Sequence, residues 1–170
     1  DKIHAADVVT RLSLTKGKYF LVSVHREENV DSDRNIHSYV RVLNELAEKY
    51  QYPIIVSTHP RTRKKIEALN LTFHPLVNLL KPLGFSDYNK LQLSAKAALS
   101  DSGTINEESS ILNFPALNLR QAHERPEGME EAAVMMVGLK DERILQGLEI
   151  LESQARGDER LLRLVADYSM

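Results

Sequence analysis

Short runs of apolar residues alternate along the chain with segments of helical periodicity. Six runs have the length of a β-strand and cover residues 19–24, 54–57, 76–80, 97–100, 115–119 and 133–137. Five segments are predicted to be helices, over residues 31–50, 61–69, 86–95, 105–112 and 141–152. The helical period is clearest in the first of these, where apolar side chains recur every three or four positions and form one face.

The predicted strands are almost entirely apolar, and helices connect most of them. Strands that are buried on both faces have this composition, and parallel strands need crossover connections of helical length. We therefore predict one α/β domain over residues 1–170, a Rossmann-like, doubly wound parallel sheet of about six strands. Ligands of such sheets bind beyond the carboxyl ends of the strands, so the residues that follow each strand are the functional candidates.

Composition and charge exclude several classes of protein. With 42% hydrophobic residues and a net charge of −2, the 170-residue chain is neither disordered nor basic enough to indicate nucleic-acid binding. It has no cysteine, which excludes disulfides and thiolate metal sites and fits a cytoplasmic protein. No apolar run reaches the ~18 residues of a membrane span, and the charged N-terminus is unlike a signal peptide. Because the chain does not begin with Met, we expect a processed or excised piece.

Polar clusters follow the first two predicted strands. Residues 25–29 read His-Arg-Glu-Glu-Asn. The histidine can act on a proton and the arginine suits a phosphate, although an ordinary solvated turn has equal weight. After the second strand, His59 precedes Pro60, a residue favoured in the first turn of a helix. His59 is therefore either a ligand-side residue or a capping residue.

The clusters that follow the third and fifth predicted strands, residues 80–88 and 119–128, are aromatic and charged, respectively. Phe85 and Tyr88 either stack on a flat base or belong to the edge of the core, and Ser86 or Asp87 is predicted to cap the helix. The fifth cluster has two Arg, one His and two Glu within eight residues, a mixture that a merely solvated loop does not need, although such loops occur. Three histidines follow strands, namely His25, His59 and His123. They form no close-spaced ligand pair, so we predict no metal site.

The fourth cluster, residues 100–108, is the most specific. A strand ends in Asp-Ser-Gly and a helix begins at once, so the free N–H groups of the first turn form a cradle for a phosphate. Gly103 permits close backbone approach, and Glu108 is placed to accept from a ribose hydroxyl. The alternative is a plain Ser/Thr N-cap followed by acidic residues that the helix dipole favours.

Four of these motifs resemble the UDP-N-acetylglucosamine 2-epimerase family in order and spacing. They are His-Arg-Glu-Glu-Asn at 25–29, Thr-His-Pro at 58–60, Asp-Ser-Gly-Thr-Ile-Asn-Glu-Glu at 101–108 and His-Glu-Arg-Pro-Glu at 123–127. The resemblance covers nearly the whole chain. It implies a GT-B architecture of two Rossmann-like domains with the active site between them, of which this chain is similar to the C-terminal, nucleotide-binding domain.

Two positions depart from the common form of the family. The non-hydrolysing enzymes have Gly-Gly where this chain has Gly103 and Thr104, and Thr where it has His123. This version resembles a subgroup that makes rarer N-acetylated sugars, with UDP-N-acetyl-L-fucosamine synthesis as the best match. A diacetamido-uronate 2-epimerase resembles it almost as well.

The resemblance also implies roles for individual residues. His25 belongs to the catalytic cleft with Arg26 beside it, and Glu108 binds the ribose. The residues that hold the diphosphate are Arg26, Ser102, Gly103 and Thr104. The uracil lies by Phe85 or Tyr88. The side chains that face the sugar or phosphate are Arg120, His123, Glu124 and Arg125. Arg26 and His59 lie where some members bind a second, regulatory UDP-sugar.

The implied reaction is epimerisation at C2 of a UDP-sugar for bacterial surface polysaccharide. UDP leaves from C1 to give a 2-acetamidoglycal and then adds back, with no metal or nicotinamide. The implied partners are the UDP-sugar, the N-terminal domain that carries the acidic catalytic residues, and a second copy in a homodimer. We expect the fragment alone to be inactive. Two alternatives are the UDP-sugar-binding half of a GT-B glycosyltransferase and a non-catalytic UDP-binding module. A receiver domain is disfavoured because the third strand ends at Leu80 and Lys81 rather than at Asp.

Overall fold

A computed structural model of the chain describes residues 2–120 and 134–152. Six parallel strands form one sheet: β1 Phe20–Ser23, β2 Ile54–Ser57, β3 Val77–Leu80, β4 Ala97–Ser100, β5 Ala116–Asn118 and β6 Met135–Met136. The helices are α1 Lys2–Ala5, α2 Val8–Arg11, α3 Glu27–Val30, α4 Asp33–Tyr50, α5 Pro60–Ala68, α6 Phe85–Ser94, α7 Ile105–Leu112 and α8 Asp141–Leu151. Among the described residues, no helix is long and apolar enough to cross a membrane.

The sheet has the strand order β3-β2-β1-β4-β5-β6, so the direction of winding reverses between β1 and β4. β1 is central, and Phe20 pairs with Ile54 on one side and with Ala97 on the other. Where the winding reverses, the connections leave the two neighbouring strands in opposite directions, and their carboxyl ends open onto a crevice. The crevice in this chain begins where Ser23 pairs with Ser100.

Helices cover both faces of the sheet because successive side chains of a strand point to opposite faces. Phe20 and Val22 belong to a core that includes residues of α4 and α8. Leu21, between them in sequence, belongs to a second core with Val8 and Leu91. This arrangement confirms the predicted Rossmann-like, doubly wound parallel sheet.

The predicted elements differ from the observed ones mainly at their ends. All six strands and all five long helices are present, and β6 is shortened to two residues. The three four-residue helices α1, α2 and α3 were not predicted, because a single turn carries too little periodicity to be recognised. Neither Ser86 nor Asp87 caps α6: the N-cap residue is Gly84, which has no side chain to make a capping hydrogen bond.

Candidate functional site

The loops that follow β1 and β4 meet at the buried carboxylate of Asp101. This side chain is 0% exposed. It accepts hydrogen bonds from the amides of His25 at 3.1 and 3.2 Å and of Arg26 at 3.0 Å, and from Asn29 Nδ2 at 3.0 Å. A buried carboxylate is tolerated only when such donors replace its lost hydration. Asp101 therefore fixes the course of residues 25–29 and the start of α3.

The His25 side chain lies between this anchor and solvent. Its Nδ1 is 3.2 Å from Asp101 Oδ1, and 49% of the side chain is exposed. Arg26 Nε donates to the main-chain oxygen of Asp101 at 2.8 Å, so both predicted residues are tied to the end of β4.

Among the described residues, only some of the backbone N–H groups at the start of α7 have a hydrogen-bond acceptor. The Ser102 amide donates to Ser100 Oγ at 3.0 Å, and the Thr104 amide donates to Ser102 Oγ at 3.3 Å. Thr104 is the N-cap residue and its side chain makes no capping hydrogen bond, whereas the acidic residues Glu107 and Glu108 stand in the first turn as the N-cap alternative expects. Within residues 2–120 and 134–152, the amides of Gly103 and Ile105 have no hydrogen-bond acceptor. The helix N-terminus therefore keeps donors for an anion.

The Glu108 carboxylate is held from both sides. Thr104 Oγ1 donates to Oε1 at 2.8 Å, and Gln92 Nε2 donates to Oε2 at 2.6 Å. Gln92 lies on α6 and is 0% exposed. Gln92, Asp101 and Asn29 are not among the predicted site residues, although Asn29 and Asp101 stand in the motifs at 25–29 and 101–108. A polar residue between Leu91 and Leu93 in an amphipathic helix was the available signal for Gln92.

The two predicted aromatic residues have different environments. Phe85 is 76% exposed at the first position of α6. Tyr88, one turn later, is half-buried against the second core. Burial raises the pKa of Tyr88 to about 12, while hydrogen bonds with Ser23 and Ser100 act in the opposite direction. Tyr88 thus lies at the mouth of the crevice, and Phe85 is the aromatic side chain left open to a ligand.

Arg120 connects the end of β5 to α3. Its side chain is 6% exposed, and its Nε lies 3.3 Å from Glu28 Oε1. Its amide donates to Asn118 Oδ1 at 3.0 Å. The other predicted residues of this cluster, His123, Glu124 and Arg125, lie outside the described residues.

His59 is the exposed N-cap residue of α5, and its Nδ1 accepts from the Arg61 amide at 3.3 Å. The capping interpretation is therefore confirmed. The Arg61 side chain contacts Glu27 at 3.2 Å and Asp31 at 2.6 Å, and so joins α5 to α3 and its C-cap. In the part of the chain that is described, no three His, Asp or Glu side chains are grouped so as to hold a metal ion.

Comparison with known proteins shows the family of the chain. The profile of the family described as UDP-N-acetylglucosamine 2-epimerase matches residues 1–169. A UDP-N-acetylglucosamine 2-epimerase of Methanocaldococcus jannaschii is 36% identical over 143 residues, which are 81% of this chain and 39% of that protein. The chain thus spans about two fifths of the length of this relative.

Two solved structures extend the likeness to three dimensions. The UDP-N-acetylglucosamine 2-epimerase of Rickettsia bellii superposes with a TM-score of 0.86 at 42% identity, over 98% of this chain and 44% of that one. The M. jannaschii enzyme in complex with UDP-GlcNAc and UDP has a TM-score of 0.82 at 31% identity, over 96% and 45% of the two chains. The domain is thus one half of a GT-B fold.

Proposed function

The chain belongs to the UDP-N-acetylglucosamine 2-epimerase family, and from this we propose that it is the C-terminal, nucleotide-binding domain of a UDP-N-acetylhexosamine 2-epimerase. The observation that carries the proposal is the meeting of two loops at the reversal point of the sheet. Asp101 fixes His25 and Arg26 beside the incompletely saturated start of α7. A relative of similar fold was solved with UDP-GlcNAc and UDP.

In the proposed site, each part of the nucleotide contacts protein groups of matching chemistry. The diphosphate lies at the start of α7, where the open amides of Gly103 and Ile105 and the positive end of the helix dipole favour an anion. Arg26 and the hydroxyls of Ser102 and Thr104 lie beside it. Glu108 accepts from the ribose hydroxyls, and the uracil contacts Phe85 or Tyr88. The sugar side is formed by Arg120, His123, Glu124 and Arg125.

The proposed reaction inverts C2 by elimination and re-addition. A base takes the C2 proton while the C1–O bond breaks, so the electron pair forms the C1–C2 double bond of a 2-acetamidoglycal and UDP leaves as the anion. UDP then adds back to C1 after a proton returns to the opposite face of C2. His25 and the start of α7 lower the barrier by stabilising charge on the β-phosphate. This scheme uses no metal and no nicotinamide.

Further parts of the proposal concern the whole protein. The acidic residues that move the C2 proton belong to an N-terminal domain, so residues 1–170 alone do not turn over a sugar. The full-length enzyme forms a homodimer, works in the cytoplasm and supplies precursors of capsule or O-antigen. Arg26 and His59 form part of a second, regulatory UDP-sugar site. The substrate is the precursor of UDP-N-acetyl-L-fucosamine, with a diacetamido-uronate as the second candidate.

Titration with UDP tests the nucleotide site directly. We expect the amide resonances of Gly103 and Ile105 to shift in a saturable manner, with smaller shifts on α8. Uridine, which lacks the diphosphate, is the control for the phosphate contacts. CDP, which carries a different base, is the control for the uracil contacts. Shifts that are absent from α7, or equal for uridine and UDP, would refute the proposed site.

Deuterium incorporation distinguishes the epimerase from a glycosyltransferase. An epimerase exchanges the C2 hydrogen of its UDP-sugar in heavy water without any acceptor. A glycosyltransferase releases UDP only with an acceptor and leaves C2 untouched, and a binding module does neither. The full-length enzyme should favour the precursor of UDP-N-acetyl-L-fucosamine, and faster turnover of UDP-GlcNAc would contradict that substrate assignment.

A further inference from the structure

Gln92 is a fully buried polar residue at the back of the proposed nucleotide site. It is 0% exposed and follows Leu91, which is also 0% exposed, on α6. A glutamine is costly in such a place unless both ends of its amide are hydrogen-bonded. The side chain therefore calls for an explanation other than packing.

Only one end of the Gln92 amide is satisfied. Nε2 donates to Glu108 Oε2 at 2.6 Å, and a carboxylate accepts only, so chemistry fixes which end of the amide faces it. Oε1 is buried and, among the described residues, has no hydrogen-bond partner. An apolar side chain of similar length would fill the same space without leaving a buried acceptor unpaired.

The contact decides how Glu108 presents its second oxygen. Gln92 holds Oε2 from inside the domain, whereas Oε1 contacts the hydroxyl of Thr104, which is exposed. A threonine hydroxyl rotates at little cost, so Oε1 is the oxygen that a ligand hydroxyl can engage. The buried amide keeps the carboxylate from turning away.

We propose that Gln92 is a positioning residue which, by holding Glu108, makes the site prefer nucleotides with ribose hydroxyls. The inference rests on the proposed function, because it takes Glu108 as the ribose ligand. It adds a residue on α6 that touches no nucleotide and determines which sugar of the nucleotide is accepted. Gln92 would therefore control the affinity for UDP but not for an analogue without the hydroxyls.

The test compares the affinities of the 170-residue chain for UDP and for 2′,3′-dideoxy-UDP, measured by calorimetry. In the wild type we expect UDP to bind about tenfold more tightly. In Gln92→Met, UDP should bind about fivefold more weakly while the dideoxy analogue binds as before. Gln92→Leu, a different apolar shape, should behave in the same way. The thermal midpoint of Gln92→Met should change little, since loss of the hydrogen bond to Glu108 is offset by removal of an unpaired buried acceptor. Gln146→Met on the exposed surface of α8 is the matched control and should change neither affinity.

The outcomes separate this inference from the proposed function. If the wild type binds neither nucleotide, the proposed nucleotide site fails. If it binds both equally, the role of Glu108 fails, and the inference with it. If the wild type prefers UDP and Gln92→Met and Gln92→Leu keep the same ratio, or weaken both nucleotides equally, Gln92 has a structural role only and the inference is overturned.

Discussion

Nδ1 of His25 lies 3.2 Å from Oδ1 of Asp101, although 76 residues separate the two in sequence. The same carboxylate also receives the main-chain amides of His25 and Arg26. One buried carboxylate therefore holds the backbone of the predicted catalytic histidine and lies beside its ring. These hydrogen bonds place the backbone of residues 25 and 26 before substrate arrives.

We expect Asp101→Asn to destabilise the domain strongly. An amide offers one acceptor oxygen where the carboxylate offers two, so at least one of the donors from residues 25–29 would face an NH₂ group. Loss of a buried charged acceptor with several donors costs about 2–4 kcal/mol in the free energy of unfolding. Urea denaturation measures this loss.

Asp7→Asn is the matched control for that experiment. Asp7 is exposed and pairs with Arg11 one turn away. Exposed pairs contribute little, so the control should change the free energy of unfolding by less than about 0.5 kcal/mol. Equal stability of Asp101→Asn and the wild type would show that Asp101 does not anchor the loop.

Glu108→Gln should weaken UDP binding about tenfold while leaving stability nearly unchanged. The glutamine keeps the size of the side chain but has one acceptor oxygen and no charge, so it cannot accept from Gln92 and from the ribose as the carboxylate does. Calorimetric titration gives the affinity. Glu149→Gln, which removes an exposed partner of Lys49 on α8, is the control and should bind UDP like the wild type. Retained affinity in Glu108→Gln would remove Glu108 from the site.

The pKa of Glu45 is raised, so we expect that replacing this residue stabilises the protein at neutral pH but not at low pH. Burial raises this pKa above 4.5, Asp141 adds to the effect by its charge and a hydrogen bond, and Arg41 opposes it. A carboxyl group with a raised pKa holds its proton more tightly in the folded state. The free energy of unfolding therefore falls as the pH increases from about 4.5 through the higher folded value.

Glu45→Gln should thus be more stable than the wild type at pH 7, by less than about 1 kcal/mol because the site is partly exposed. The difference should disappear below the ordinary pKa, where the wild-type group is protonated in both states. Urea denaturation at the two pH values measures it, and the exposed Glu67→Gln on α5 is the control. A wild type that is the more stable protein at pH 7 would contradict this reading of Glu45.

Gly147→Ala should destabilise the packing of α8 on the sheet. An added Cβ would lie 2.9 Å from Leu117 Cδ2 and 3.2 Å from Leu117 Cδ1, and Leu117 is fully buried in β5. The clash outweighs the gain of about 1 kcal/mol in helix propensity, and we expect a net loss of about 1–2 kcal/mol.

Leu117→Val provides the internal control for this prediction. Shortening the side chain makes room for the new Cβ, so Gly147→Ala should cost less in the Leu117→Val background than in the wild type. A double-mutant cycle of thermal or urea denaturation gives this coupling, expected to be at least about 0.5 kcal/mol. Simple additivity of the two substitutions would show that the contact is not the cause.

The amino-acid sequence alone determined the layers of this domain and the edge of the sheet that carries its polar motifs. Continuous apolar runs, helical periodicity and the polar residues after each strand are local properties, so the sequence alone predicts the six strands and the position of the motifs at residues 25–29 and 101–108. The same motifs placed the chain in its family.

Only the tertiary structure decided how those motifs cooperate. The strand order brings the ends of β1 and β4 together. Asp101, which follows β4, therefore accepts a hydrogen bond from the main-chain amide of His25. The tertiary structure also sets Gln92 against Glu108, two residues on different helices. Such contacts depend on the mutual arrangement of elements far apart in the chain, and the energy of a buried hydrogen bond leaves no periodic trace in sequence.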